Sequence, residues 1–105
     1  MRFPETHAFT ALVQRRLTED EYRRLQLALA SQPKLGPVIR GTGRLRKLRW
    51  SAAGRGKRGG VRVIYAWDAR SETFFMLYVF AKNERSDLTT AQRRTLGQIV
   101  RKELG

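Results

Sequence analysis

The segment Gly54-Arg55-Gly56-Lys57-Arg58-Gly59-Gly60 sets cations between glycines and runs directly into Val61-Arg62-Val63-Ile64-Tyr65, an apolar alternation that predicts a strand. Glycine frees the backbone at little steric cost, and the three cations supply charge. A flexible positive loop mounted on a strand suits a phosphate group. The wider context agrees: between Tyr22 and Trp67 the chain carries twelve Lys and Arg residues and no Asp or Glu.

Several chemistries are disfavoured by what the chain lacks. A two-metal nuclease needs clustered acids to hold its ions, and the basic stretch has none, so neither a metal site nor a cofactor is expected. The glycine spacing lacks the Ser or Thr and the helix start of a nucleotide-binding loop. His7 is the only histidine and reads as a boundary residue of the first helix. The cations are left. In RNA cleavage by its own 2′-hydroxyl, the phosphorane gains negative charge, and cations around it stabilise the transition state more than the ground state. A proton must leave the 2′-hydroxyl, and arginine cannot accept it. Lysine can when its pKa is depressed. Lys57, between Arg55 and Arg58, is the best general-base candidate by elimination and environment, because like charges disfavour its protonated form. Arg62 sits on a strand, a rigid mount for bidentate contact with phosphate oxygens. Lys82 is a third candidate, as acid or charge stabiliser.

Arg46, Arg49, Arg55 and Arg58 are candidate backbone contacts. Tyr65, Tyr78, Trp50 and Trp67 offer ring faces for bases. Each cation has a plainer role open to it, a phosphate contact without chemistry, and each aromatic a place in the core. Basic glycine-rich loops also serve plain RNA binders, so the local pattern leaves binding and cleavage both open.

Elements must position these residues. Met1 to Pro4 reads as a short edge strand. Phe9, Leu12, Val13 and Leu17 recur at helical spacing. Thr18-Glu19-Asp20-Glu21 is a capping box that opens a second helix, with Tyr22, Leu25, Ala28 and Leu29 as its buried stripe. Pro33 and Gly36-Pro37 end it. The period then changes. Leu45 to Trp50 is a strand, Ser51 to Gly60 a loop, and Val61 to Trp67 a strand with Val61, Val63, Tyr65 and Trp67 on one face and Arg62, Ile64 and Ala66 on the other. Asp68 to Glu72 is a turn. Thr73 to Lys82 is a strand apolar on both faces, as a central strand is, with Phe74, Met76, Tyr78, Phe80 and Lys82 along one side. Thr89 or Thr90 caps a last helix whose apolar face is Leu96, Ile99, Val100 and Leu104. The expected class is α+β: two helices, a small mostly antiparallel sheet, a terminal helix.

The chain has 105 residues, which fits one domain spanning 1–105. A domain of this size buries roughly two-thirds of its unfolded surface. With no cysteine, it has no disulfide or thiolate metal site, and its composition suits the cytosol. Its longest apolar run, Phe74 to Ala81, falls short of the roughly 20 residues of a membrane span. No hydrophobic region follows Met1-Arg2-Phe3-Pro4 to make it a signal peptide. The formal net charge is +13, and self-repulsion of that size favours a polyanionic or acidic partner.

Pro33-Lys34-Leu35-Gly36, Gly41-Thr42-Gly43-Arg44-Leu45-Arg46-Lys47-Leu48-Arg49, the Gly54–Tyr65 segment, Ala81-Lys82-Asn83-Glu84 and Asp87-Leu88-Thr89, taken in this order, resemble the HigB-like branch of the RelE/ParE toxin superfamily. The resemblance covers most of the chain. It implies a RelE-like fold and the toxin of a bacterial type II toxin–antitoxin pair, acting in the cytoplasm without a membrane. It further implies entry into the A site of the 70S ribosome, contact with mRNA and rRNA, and cleavage of the mRNA there. A helix-turn-helix antitoxin of the HigA kind would neutralise it, with operator DNA met only through that complex. Lys57 and Arg62 match the family's catalytic cations, Lys82 falls near a position where RelE proteins use arginine, and Asn83 joins the RNA contacts. The family's catalytic tyrosine near the C-terminus has no counterpart, since no aromatic follows Phe80; Tyr65 or Tyr78 substitutes, or stacking is left to ribosomal RNA. Two alternatives stand beside this one: a gyrase inhibitor of the ParE branch, and an RNA-binding module without enzymatic activity.

Overall fold

The computed structural model describes residues 1–51, 60–81 and 87–104. In chain order it has α1 (His7–Arg16), α2 (Glu19–Ser31), β1 (Arg46–Trp50), β2 (Val61–Asp68), β3 (Thr73–Ala81) and α3 (Thr90–Leu104). The strands form an antiparallel sheet in the order β1-β2-β3.

Local chemistry sets the helix starts. The Thr6 hydroxyl accepts from the Phe9 amide at 3.0 Å and donates to the Leu77 carbonyl at 2.7 Å, so one side chain caps α1 and ties it to β3. The expected capping box opens α2: Glu21 N–H donates to Thr18 Oγ1 at 3.1 Å, and Thr18 N–H donates to Glu21 Oε1 at 2.8 Å. Of the two candidate caps for α3, Thr89 is used. It accepts from Gln92 N–H at 3.1 Å and donates its own amide to Gln92 Oε1 at 2.9 Å.

The sheet has a core on each face. On one, α1 and α2 bury Phe9, Val13, Leu25 and Leu29 against Leu48, Val61, Val63, Tyr65, Phe74, Met76 and Val79. On the other, Leu96 and Val100 of α3 pack with Ile39, Leu45, Ile64, Ala66, Leu77, Phe80 and Leu88. The expected N-terminal edge strand is realised as a parallel pairing with β3. Phe74 N–H donates to the Arg2 carbonyl and Met76 N–H to the Pro4 carbonyl, both at 2.8 Å. Thus β3 is paired along both edges, and the helix cores on the two faces of the sheet account for its apolar residues on both sides.

One expectation fails in β3. Simple alternation puts Phe74, Met76, Tyr78 and Phe80 on one side. The register, however, shifts between Ile64 and Tyr65: Ile64 pairs with Tyr78 while Tyr65 pairs with Met76. Leu77 is the extra residue of a β-bulge, and a bulge reverses the facing of the residues beyond it. Phe74 and Met76 therefore face α1 and α2, whereas Phe80 is buried beneath α3 and Tyr78 packs on the same cluster. The strand is described to Ala81, so Lys82 lies outside the described residues.

The connection from α2 to β1 lies tight on the sheet. Tyr65 is 0% exposed; its hydroxyl donates to the Pro33 carbonyl at 2.9 Å and accepts from the Gly36 amide at 3.0 Å. A Cβ on Gly36 would stand 3.1 Å from the Lys47 and Leu48 backbone, a tight approach that any larger residue would have to relieve by moving β1. Tyr65→Phe is expected to lower stability by about 1–3 kcal/mol, since it strands a buried amide and a carbonyl while keeping the ring. Denaturant unfolding of the two proteins measures it; an unchanged midpoint would show that these bonds contribute nothing.

Candidate nucleic-acid interface

Three rungs run across the end of the sheet. Arg49 pairs with Arg62, and Arg62 with Phe80; Lys47 pairs with Ile64, and Ile64 with Tyr78; Trp50 pairs with Val61, and Val61 with Ala81. Ile64 and Phe80 belong to the core under α3. By strand alternation Arg62 shares their face, and its cross-strand partner Arg49 lies beside it. Phe80 is 3% exposed and forms an apolar floor, Arg62 is half-buried, and Arg49 is exposed. Burial first and the charge of Arg49 second draw the Arg62 guanidinium below its ordinary pKa.

Like charges directly opposite on neighbouring strands are destabilising. Among the described residues no carboxylate pairs with either arginine. An anion bound between them would remove the repulsion, and two guanidinium forks suit a phosphate. The adjoining rung shows what leaves from this end. Trp50 and Val61 flank the connection that holds Arg55, Lys57 and Arg58. Ala81, paired with Val61, precedes the segment that holds Lys82 and Asn83. Those five residues lie outside the described ones.

One sequence expectation is corrected. Tyr65 presents no ring face to a base, because it is enclosed in the core between the sheet and α2 and its hydroxyl is committed at both ends. Burial outweighs the Gly36 hydrogen bond and the Arg46 charge and raises its pKa, so the phenol is neutral and is no proton acceptor near neutral pH. Arg46 is parted from Arg49 and Arg62. It opposes Tyr65, on the α1–α2 face, and its Nη1 donates to the Gly36 carbonyl at 2.8 Å. Trp50 and Trp67 pack against the α1–α2 core. Tyr78 is half-buried and lines an apolar groove of about 610 Å³ between the start of α1 and α3, with Phe75, Leu77 and Ile99. His7 is an exposed residue on the rim of that groove, as a boundary histidine would be.

The sequence gives Asp87 a place in the family-like segments but no role of its own. Its Oδ2 meets Lys47 Nζ at 3.3 Å and Arg93 Nη2 at 3.1 Å, and its Oδ1 accepts from the Leu88 amide at 2.8 Å. The carboxylate fastens β1 to the start of α3 and holds the cationic face at its border. Burial pushes its pKa up, but the Leu88 amide, the hydrogen bond and charge of Lys47 and the charge of Arg93 outweigh this and hold it below the ordinary carboxylate range. Because folding lowers this pKa, its contribution is present above the unfolded carboxylate value. It is lost as pH falls through the folded value. Asp87→Asn is expected to be less stable than the parent at neutral pH and to converge with it in acid. Thermal unfolding across pH checks this; a gap that persists unchanged in acid would reject it. A carboxylate just ahead of a helix, paired with a lysine on a distant strand, leaves no local signal in a sequence.

Among the described residues no helix is long and apolar enough to cross a membrane. The family model described as the RelE toxin of the RelE / RelB toxin-antitoxin system matches residues 39–104. The solved free-state structure of E. coli toxin RelE, carrying two arginine-to-alanine substitutions, is similar with a TM-score of 0.61. The match covers 93% of this chain and 95% of that one, at 12% sequence identity. That likeness is one of fold, over the helices and sheet that frame the arginine pair.

Proposed function

The chain belongs to the RelE toxin family of toxin–antitoxin systems, and from that premise we propose that it is a ribosome-dependent mRNA endoribonuclease of the HigB-like branch, acting in the cytoplasm. The observation that carries this reading is the Arg49–Arg62 pair, set on an apolar floor at the sheet end from which both remaining cation-bearing segments depart.

In this mechanism Arg62, helped by Arg49, grips the non-bridging oxygens of the scissile phosphate. Lys57 accepts the proton of the adjacent 2′-hydroxyl as that oxygen bonds to phosphorus. The bond from phosphorus to the 5′-oxygen breaks, and Lys82 supplies the proton this oxygen takes up or stabilises its charge. The products are a 2′,3′-cyclic phosphate and a 5′-hydroxyl. The ribosome holds the mRNA in its A site for in-line attack, and such orientation is worth roughly 7–11 kcal/mol. The protein then has mainly to supply charge and one proton acceptor. A helix-turn-helix antitoxin of the HigA kind, with acidic residues or a segment over the basic face, neutralises it. Operator DNA is met only through that complex.

Translation of a defined mRNA with purified components, followed by mapping of 5′ ends, tests the reading. Codon-spaced cuts are expected only when ribosomes are present. Intact mRNA together with poisoned gyrase would move the protein to the ParE branch. RNA binding without any product would make it a binding module. Normal cutting by all of the Lys57→Ala, Arg62→Ala and Lys82→Ala variants would overturn the site while leaving the activity.

A further inference from the structure

Helix α3 carries Gly97 in the interior of a 15-residue helix, where glycine is a poor choice. Nothing in the packing calls for it. A Cβ at Gly97 would meet no atom within 4 Å. The residue instead lines a cleft of about 330 Å³. One wall is the turn at Arg40, Gly41 and Thr42; the other is the face of α3 that bears Arg93, Arg94 and Arg101.

Four arginines and no acid line this cleft among the described residues. Arg93 is held by Asp87. Arg40, Arg94 and Arg101 are exposed and ion-paired with nothing among the described residues. The turn that forms one wall is fixed by local bonds. Gly41 takes a positive φ of 82° that other residues adopt only under strain. The Thr42 hydroxyl donates to the Ile39 carbonyl at 2.6 Å and accepts from the Leu45 amide at 3.2 Å. Ile39, Leu45, Leu96 and Val100 share the core beneath. Three exposed arginines, ion-paired with nothing among the described residues, thus surround an unfilled floor.

We infer that this cleft is a second phosphate-binding site, which takes the sugar–phosphate backbone of RNA at a point other than the scissile phosphate, with Gly97 keeping its floor open. The two basic areas meet at Asp87, which bonds Lys47 on one side and Arg93 on the other, so a single phosphate does not serve both. The lining has no aromatic or large aliphatic anchor of the kind that dominates protein interfaces, which favours a backbone ligand over an acidic protein. The choice of RNA over DNA rests on the RNA-directed reading of the toxin.

The test measures binding and not cleavage, so it is independent of that reading's own assay. In an Arg62→Ala background, a short single-stranded RNA and purified ribosomes are each titrated across salt. The triple variant Arg40→Ala, Arg94→Ala, Arg101→Ala is expected to bind at least about tenfold more weakly at low salt. On the RNA strand its salt slope should be shallower by about 0.7 for each phosphate contact removed. Loss on the free strand assigns the cleft to mRNA; loss on ribosomes alone assigns it to ribosomal RNA. Gly97→Ala is expected to raise the unfolding temperature while weakening the same binding, an outcome that damage to the fold does not produce. Unchanged affinity and slope for the triple variant with both ligands overturn the site. Equal binding and equal loss with duplex DNA overturn the assignment to RNA. Weakened binding by a toxin that cuts no mRNA upholds the cleft and removes only the cleavage reading.

Discussion

Arg62→Ala is expected to lower ribosome-dependent mRNA cleavage by about 10²–10³-fold, the usual cost of removing one preorganised group that meets developing charge. Arg62 suits that role by its mount. It stands on the middle strand, between β1 and β3, above the buried Phe80 ring, so its position is set by the sheet and not by a loop. Stability should change little or rise, because the substitution relieves the repulsion with Arg49. Arg62→Lys should recover only part of the rate, since an ammonium keeps the charge but loses the planar fork. Arg49→Ala, at an exposed edge position, should cost less than Arg62→Ala. A folded Arg62→Ala protein that cuts translated mRNA at the parent rate would remove the arginine pair from the chemistry.

The second large effect is on folding. Phe74 is 0% exposed and is the hub of a ring cluster: Phe3 stacks on it at 5.0 Å and 9°, Trp67 lies at 4.3 Å and Tyr65 at 6.1 Å. Phe74→Ala is expected to cost about 3–5 kcal/mol, against a total stability of roughly 5–15 kcal/mol for such a domain. Thermal unfolding should shift down on the order of 15–25 °C. The loss should also be local. Phe3 would lose its stacking partner, so amide exchange at residues 74 and 76, whose N–H groups bond the Arg2 and Pro4 carbonyls, should quicken beyond the global change. Phe74→Leu should keep more of the stability. A loss below about 1 kcal/mol for Phe74→Ala would contradict the role of this cluster.

The range of the forces involved decides how much of this protein is legible in its chain. The Thr18–Glu21 capping box and the cap of α3 act within one helical turn, so residue types alone announced them. The alternation of β2 put Tyr65 with Val61 and Val63 and Arg62 with Ile64, and the structure keeps both groupings. The same alternation already argued that Tyr65 belonged to the core; its candidacy for base stacking set residue type above position. In β3 the error came from a single extra residue. Leu77 changes no local propensity, yet it sends Tyr78 and Phe80 to the face opposite Phe74 and Met76. Arg46 and Arg49 differ by three positions on a strand, so they were bound to point apart; with cations at both, the sequence did not say which face held the site. Asp87 joins Lys47 and Arg93 through the third dimension alone. Arg40, Arg94 and Arg101 likewise meet only once α3 folds back over the turn at residue 41.

The pairing of residues 2–6 with β3 has a consequence for the life of the protein outside the assay tube. Peeled away, those few residues would uncover the amides of Phe74 and Met76 along a strand whose side chains are almost all hydrophobic. Such a border recruits foreign strands and seeds aggregates. Residues 2–6 therefore act as a selvedge that keeps the fabric from unravelling into its neighbours.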